Sequence, residues 1–389
     1  MRLKSVNAML HTLIGKKGGM TLGQFRLLPL LLATLATLTF TSLAPPTSAA
    51  DDHDLDAIAR AIDDWLSSPH ANHDSRSFTY WNERGKVPEN CAACHSEPGF
   101  IDFIGADGSE AGVVNHPAAI NAVIGCATCH TATAHALDSA DLPSGISVHG
   151  LGMNATCTIC HSGRASGDAV LDATAELEED VVSGDLQFIN IHFGIAAAVM
   201  QGGDGRAGFH YPGRSYAGQF RHVPGADTCI ACHDAHTTQV QEDGCLSCHR
   251  GVQELRDIRT RHQDFDGDGD NSKGIHAEIT GLHAQLYDAI QSYALSVAGT
   301  PIGYSSGTNP YFFIDADGDG NIDESEAVRD NRYQSWTPRL LKAAYNYQVV
   351  QKDPGGYVHN PAYLLQLLYD SLESLAERVD IETRTRHRP

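Results

Sequence analysis

The chain is poor in methionine: five in 389 residues, of which only Met153 and Met200 lie beyond the first fifty. No cysteine precedes Cys91 and none follows Cys248. Basic residues are outnumbered, with 27 lysines and arginines against 48 aspartates and glutamates. No long apolar run follows residue 44. Each shortage excludes something. A formal charge of −21 lacks the basic footprint that nucleic-acid binding needs. With no cysteine near the start, lipid attachment at an N-terminal cysteine is not expected. With no later apolar run to span a bilayer, the mature chain is expected to be soluble or peripherally attached.

The start of the chain has its own pattern. Arg2, Lys4, Lys16, Lys17 and Arg26 precede an apolar run from Leu27 to Ala44, and small residues follow at Thr47, Ser48, Ala49 and Ala50. Basic, apolar, then small is the order of a secretory signal, expected over residues 1–50 with cleavage near Asp51. Pro29 and several threonines make the run a poor permanent span. The protein is therefore expected to be exported, to the periplasm, the cell surface or the extracellular space. Removing the five basic residues takes the formal charge from −21 to −26. So acidic a surface suits solubility and docking to basic partners.

An exported chain with ten cysteines would ordinarily be read as disulfide-bonded. Here every cysteine belongs to a C-x-x-C-H run: Cys91, Cys94, His95; Cys126, Cys129, His130; Cys157, Cys160, His161; Cys229, Cys232, His233; Cys245, Cys248, His249. Two thiols at this spacing add to the two vinyl groups of one haem, and the adjacent histidine becomes the proximal ligand of its iron. Zinc sites and redox dithiols also use C-x-x-C, but neither needs histidine at the next position. The sequence thus predicts five covalently attached haems c. Over residues 51–262, taken as a pentahaem cytochrome domain, haem is expected to form much of the core. Little regular structure is expected between residues 70 and 250, where Gly, Ala, Asp, Ser and Thr dominate.

The sixth iron ligand decides what such a haem does. A second histidine closes the iron to substrates, and an open position allows catalysis. Two methionines cannot serve five irons, whereas fifteen histidines beyond the motifs remain after residue 50. His236 lies three residues after His233. At most ~3.3–3.6 Å per residue cannot carry it round the haem edge, so His236 is expected to serve a neighbouring haem. The same holds for His135, five residues after His130. The 72 positions from Cys157 to Cys229 hold no motif but carry His192, His210 and His222. That stretch reads as a supplier of sixth ligands, with His210 more in the manner of a turn residue.

After Arg250 the composition changes. Residues 263–389 read as a helical region with two EF-hand-like calcium loops. Asp315, Asp317, Asp319, Asp323 and Glu326 fall at positions 1, 3, 5, 9 and 12 of a calcium loop, with Gly320 at the turn. Asp264, Asp266, Asp268 and Asp270 begin a second loop whose position 12 is Ile275, and Glu278 is the candidate for the missing carboxylate. Helices are expected over 275–297, from Thr337-Pro338 to about Val350, and from Asn360-Pro361 onward with a leucine stripe. The end, with Arg384, Arg386 and Arg388, reads as a mobile basic tail.

Stretches outside the motifs carry a family resemblance. They are Phe220-Arg-His222-Val-Pro-Gly225, His233-Asp-Ala-His236, the run from Trp336 to Tyr347, and Asp353-Pro-Gly-Gly-Tyr-Val-His359-Asn-Pro. Ser68-Pro-His70-Ala, before the first motif, adds to them. With the five motifs these resemble the polyhaem, membrane-associated or secreted c-type cytochromes of metal-reducing bacteria. The resemblance implies a chain of haems passing electrons to redox partner proteins or extracellular acceptors. It also implies His70, His192, His222, His236 and His359 as distal ligands, with His116, His135 and His149 left open. Two alternatives stand beside electron transfer. One is a reductase with an open haem, with His210, Tyr211 and Arg214 in a glycine-rich loop as its pocket. The other is self-association into a haem wire, with His53, His70 or His73 reaching across subunits.

Overall fold

A computed structural model describes residues 52–381 and 386–389. The expected signal over 1–50 lies outside the described residues. The longest helices after residue 250 follow from their caps and apolar spacing. Ile275–Tyr293 buries Ile279, Leu282, Leu286, Ile290 and Tyr293 along one face. It runs into a π-turn, Ala294–Ala298, and stops at Gly299, whose φ of 74° is left-handed and suits glycine. Pro338–Lys352 begins where the Thr337 hydroxyl accepts from the Leu340 amide, with proline in the first turn. Pro361–Ala376 repeats the device with the Asn360 side chain accepting from the Tyr363 amide.

These three helices pack on one another, and a two-stranded antiparallel sheet, Ile302–Tyr304 with Phe312–Ile314, closes beside them. The same core takes in Val170, Leu186, Ile191, Ile195, Val199 and Phe209 from the preceding sequence. The apolar interior therefore draws on both sides of the composition change near residue 262. Polar bonds sew the two stretches together. Asn346 accepts from the Phe209 amide (2.7 Å) and donates to its carbonyl (3.0 Å). Tyr345 donates to the Ala207 carbonyl (3.0 Å), and Tyr363 accepts from the Gly208 amide (2.8 Å). Asp180 holds Arg339 (2.7 Å) and Arg378 (2.6 Å) and accepts from the Tyr293 hydroxyl (2.8 Å), which keeps its carboxyl below the usual range although burial opposes this.

Between residues 70 and 250 the fold is largely irregular. Its helices are short, the longest being the ten residues Ala196–Gly205, and its sheets are two-stranded. Lys86–Val87 pairs with Ala118–Ala119, and Ser139–Asp141 with Ser147–His149. Before residue 165 the buried apolar side chains form two small clusters, around Trp81, Val87 and Ala92 and around Phe100, Ile104 and Ala134. Residues 386–389 are not a free tail. Arg388 pairs with Asp370 (2.7 Å) and donates to the Ser215 carbonyl (2.7 Å), and Arg386 donates to Gln285 (2.6 Å). Asp370 is buried, so it needs a cation, and the chain end supplies one. Among the described residues no helix is long and apolar enough to cross a membrane.

Asn346 is fully buried and satisfies both polar groups of Phe209. Asn346→Leu strands a buried amide and carbonyl. It is expected to cost about 2–4 kcal/mol, read as a lower urea midpoint by far-UV circular dichroism. An unchanged midpoint would show that these bonds do not tie the two stretches together.

Candidate metal centres

All five C-x-x-C-H motifs sit on short helices: Glu89–His95, Cys126–His130, Asn154–Cys160, Cys229–Cys232 and Glu242–Cys248. Residues three apart share a helix face, so each pair of thiols points to one side. Local capping explains the short turns. Glu97 accepts from the Ala127 amide (2.8 Å) at the start of the second motif, and Thr228 accepts from the Ala231 amide (3.2 Å) at the fourth. No two of the ten cysteines are joined in a disulfide. Burial pushes the thiols of Cys91, Cys129 and Cys232 up, Cys129 to about 11, while hydrogen bonds with Cys229 and Cys94, and then burial, raise those of Cys157 and Cys160. A redox dithiol needs a depressed thiol. Cys94 and Cys229 are lowered, but by hydrogen bonds to Cys160 and Cys157 of other motifs.

Those cross-motif contacts place the motifs relative to one another. Cys94 Sγ lies 3.9 Å from the Ile159 carbonyl oxygen, and Cys160 Sγ lies 3.8 Å from that of Ala93. The first and third motifs therefore touch. The third and fourth touch through Cys157 and Cys229, and Asn154 accepts from the Cys229 amide (2.9 Å). Cys129 of the second motif is near enough to Cys157 to raise its own thiol, and Cys232 of the fourth stands likewise toward Cys245 of the fifth.

Each motif histidine faces a second histidine from elsewhere in the chain. His95 faces His192 with ring centres 5.9 Å apart, and His130 faces His236 at 6.2 Å. His161 faces His70 at 6.3 Å, His233 faces His359 at 6.5 Å, and His249 faces His222 at 5.9 Å. An imidazole nitrogen binds a first-row metal at about 2.0–2.1 Å, so two rings on opposite sides of one ion stand about 6 Å apart. His236 faces the second motif and not its own, as the three-residue spacing requires. His130 also has His135 at 5.8 Å, a rival from five residues on.

The Nδ1 atoms give a second, independent fit. His95 Nδ1 donates to the Ser77 carbonyl (2.9 Å), and His233 Nδ1 to the Thr238 carbonyl (3.1 Å). His161 donates to the Gly194 carbonyl. Gly194 has φ of 68°, and a Cβ there would come within 3.0 Å of His161 Nδ1, so this approach needs glycine. His359 Nδ1 donates to Asp353 (2.8 Å). A carbonyl or carboxylate on Nδ1 fixes the tautomer that leaves Nε2 free for a metal. Metal binding also needs neutral imidazole. Burial lowers His70 and His95 and takes His161 and His192 to about 4. At His359 burial also lowers the ring, but the Asp353 carboxylate outweighs it and raises the pKa. These donors, with paired thiols beside every motif histidine, fit haem c.

The other histidines stand differently. His116 pairs with Asp102 (3.0 Å), His149 lies in the strand Ser147–His149, and His283 is bonded to the Tyr347 carbonyl (2.9 Å). His210 stacks on Tyr216 at 4.1 Å and bonds the Tyr363 hydroxyl (2.9 Å), so its ring is held in the protein. Sequence reading did not single out Asp353, Ser77, Thr238 or Gly194. Asp353 could have been noticed beside His359, but carbonyl partners leave no side-chain signal.

The acidic loops are gathered in part. Oxygens of Asp315, Asp317 and Glu326 lie within 4.8 Å of one another, as do those of Asp264, Asp266 and Asp268. Asp315 accepts from the amides of Gly318 and Gly320 (both 2.9 Å), and Glu326 accepts from the Ala316 amide (2.7 Å). Asp319 accepts from the Asn321 amide (2.7 Å), while Asp323 turns to Ser325 (2.7 Å). In the other loop Glu278 is committed to Arg259 (2.6 Å) and the Phe265 amide (2.7 Å), and Asp270 to Lys273 (3.1 Å) and Ser272 (2.6 Å). Burial and the neighbouring carboxylates push Asp266 up to about 6.

The chain is 24% identical over 378 residues to the C-type polyheme cytochrome OmcB of Geobacter sulfurreducens, in each of two strains, covering 78% of this chain and 46% of OmcB. It is 27% identical over 262 residues to the C-type polyheme cytochrome OmcC of the same organism, covering 57% of this chain and 30% of OmcC. The chain thus spans about half the length of OmcB and under a third of OmcC. These likenesses make it a distant homologue of polyhaem c-type cytochromes. No protein-family model and no solved structure matches it.

Proposed function

We propose that this chain is a five-haem electron carrier, working after export in periplasmic or extracellular electron transfer. One observation carries the proposal: every C-x-x-C-H histidine faces a second histidine at 5.9–6.5 Å. Haem bound there supplies one-electron iron chemistry. The protein's part is to hold, space and insulate. Cys91 and Cys94, Cys126 and Cys129, Cys157 and Cys160, Cys229 and Cys232, and Cys245 and Cys248 anchor the five groups. The pairs His95–His192, His130–His236, His161–His70, His233–His359 and His249–His222 would hold the five irons. Ligation by both rings of a pair would leave no position for substrate. This favours the carrier over the reductase, whose expected pocket residue His210 is bonded to Tyr363 instead.

The thiol contacts support an order of transfer. The first motif adjoins the third, the third adjoins the fourth, and the fourth adjoins the fifth, with the second beside the third. The Nδ1 partners set electron density at the ligands: a carboxylate on His359 makes that imidazole a stronger donor than a carbonyl would. Basic redox partners suit the acidic surface, and nucleic acid does not. His70 faces His161 in its own chain, which weakens its case as a bridge between subunits.

Calcium is the second cofactor of the proposal. Asp315, Asp317 and Glu326 hold one ion with Asp319 beside them, and Asp264, Asp266 and Asp268 hold another. Both ions are structural, since each loop flanks the helix Ile275–Tyr293 or the sheet beside it.

The central test is low-temperature EPR on oxidised, haem-quantified protein. Five low-spin signals are expected, and His222→Ala is expected to make one haem in five high-spin. A high-spin haem in the native protein would return the reductase to favour. At the second motif, His236→Ala is expected to open the iron while His135→Ala leaves it closed, and the reverse would assign His135 as the ligand. Metal analysis is expected to find two calcium ions per chain and one in Glu326→Gln, with chelation lowering the melting temperature. Native protein free of calcium after dialysis against calcium buffer would remove that part of the proposal.

A further inference from the structure

Lys352 ends the helix Pro338–Lys352 in an unusual setting. It is 2% exposed, and its Nζ has no hydrogen-bond partner. Among the described residues no carboxylate forms an ion pair with it. Its Nζ lies 3.2 Å from the ring centre of Phe193 and 4.0 Å from that of Tyr311. Two aromatic faces offset part of the cost of burying an ammonium. They do not satisfy its three N–H donors, and a buried cation without an anion is strongly disfavoured. One turn earlier, Gln348 is fully buried and also carries a donor nitrogen, Nε2, without a well-formed acceptor. Its Oε1 is already used by the Ile191 amide (3.2 Å).

The position of this cation is specific. Phe193 follows His192, with ring centres 6.4 Å apart, and His192 faces His95. Lys352 is close enough to act electrostatically on His192, and Arg164 acts on Cys91, His95 and His192. In a chain with a charge of −21, three cations gather at this motif, Lys352, Arg164 and Arg84, the last acting on Cys91. Among the described residues no anion pairs with Lys352, and haem brings two carboxylates on its propionate arms.

We propose that Lys352 receives a propionate of the haem anchored by Cys91 and Cys94 between His95 and His192, and that it raises that haem's potential above what its ligands alone would set. The proposal rests on the haem assignment above. A buried cation beside the propionate offsets negative charge near the iron, which favours the reduced state. Lys352 and Tyr311 are both buried, which limits screening of the pair by salt.

The test is a spectroelectrochemical titration of the holoprotein beside Lys352→Met and Lys352→Gln. Lys342→Met, which removes a lysine paired with Glu179, is the control. Pyridine haemochrome and circular dichroism check haem content and fold in each. Both Lys352 variants are expected to keep five haems and lower one midpoint potential, leaving the other four and the control unmoved. The shifted component must be the one that turns high-spin in His192→Ala. Five unmoved potentials in folded, five-haem variants would overturn the proposal and leave the aromatic cage as the only partner of Lys352. A shift in a different haem would overturn it too. Fewer than five haems in the native protein would be a different failure, that of the haem assignment itself.

Discussion

Ten imidazoles standing as five facing pairs, each about 6 Å between ring centres, set the terms for the rest of the structure. Rings at that spacing stand at the right distance for one metal ion between them. The chain around them is built to hold the spacing. Short capped turns carry the motifs, a glycine at 194 lets His161 approach the backbone, and carbonyls or Asp353 fix the Nδ1 atoms of four rings. Protein side chains alone give residues 70–165 only two small apolar clusters.

The rest of the molecule acts as a frame. The helices Ile275–Tyr293, Pro338–Lys352 and Pro361–Ala376 share a core with residues 170–209. That core steadies the loop carrying His192, because Gln348 accepts from the Ile191 amide. The helix that ends in Lys352 leads directly into Asp353 and then His359, so one segment contributes a buried cation, a carboxylate and the imidazole it holds.

Legibility in the sequence followed the range of the interactions. The C-x-x-C-H motifs depend on neighbours in sequence, so they could be read outright. So could the helices starting at Thr337-Pro338 and Asn360-Pro361, whose caps are local. The facing histidines could only be enumerated, since pairing is a tertiary property; chain geometry did exclude His236 from its own motif. Resemblance, not spacing, brought forward His70 and His359. Long-range charge was the least visible. Nothing local shows that Arg388 belongs to Asp370 and not to a loose tail, or that Arg259 pairs with Glu278 where it meets the Asp264 loop.

Iron anomalous scattering from crystals of the holoprotein tests the histidine pairing most directly. Five iron peaks are predicted, each between one named motif histidine and its facing partner: 95 with 192, 130 with 236, 161 with 70, 233 with 359, and 249 with 222. An iron bound on one side only, or paired with a histidine outside this set, would contradict the account.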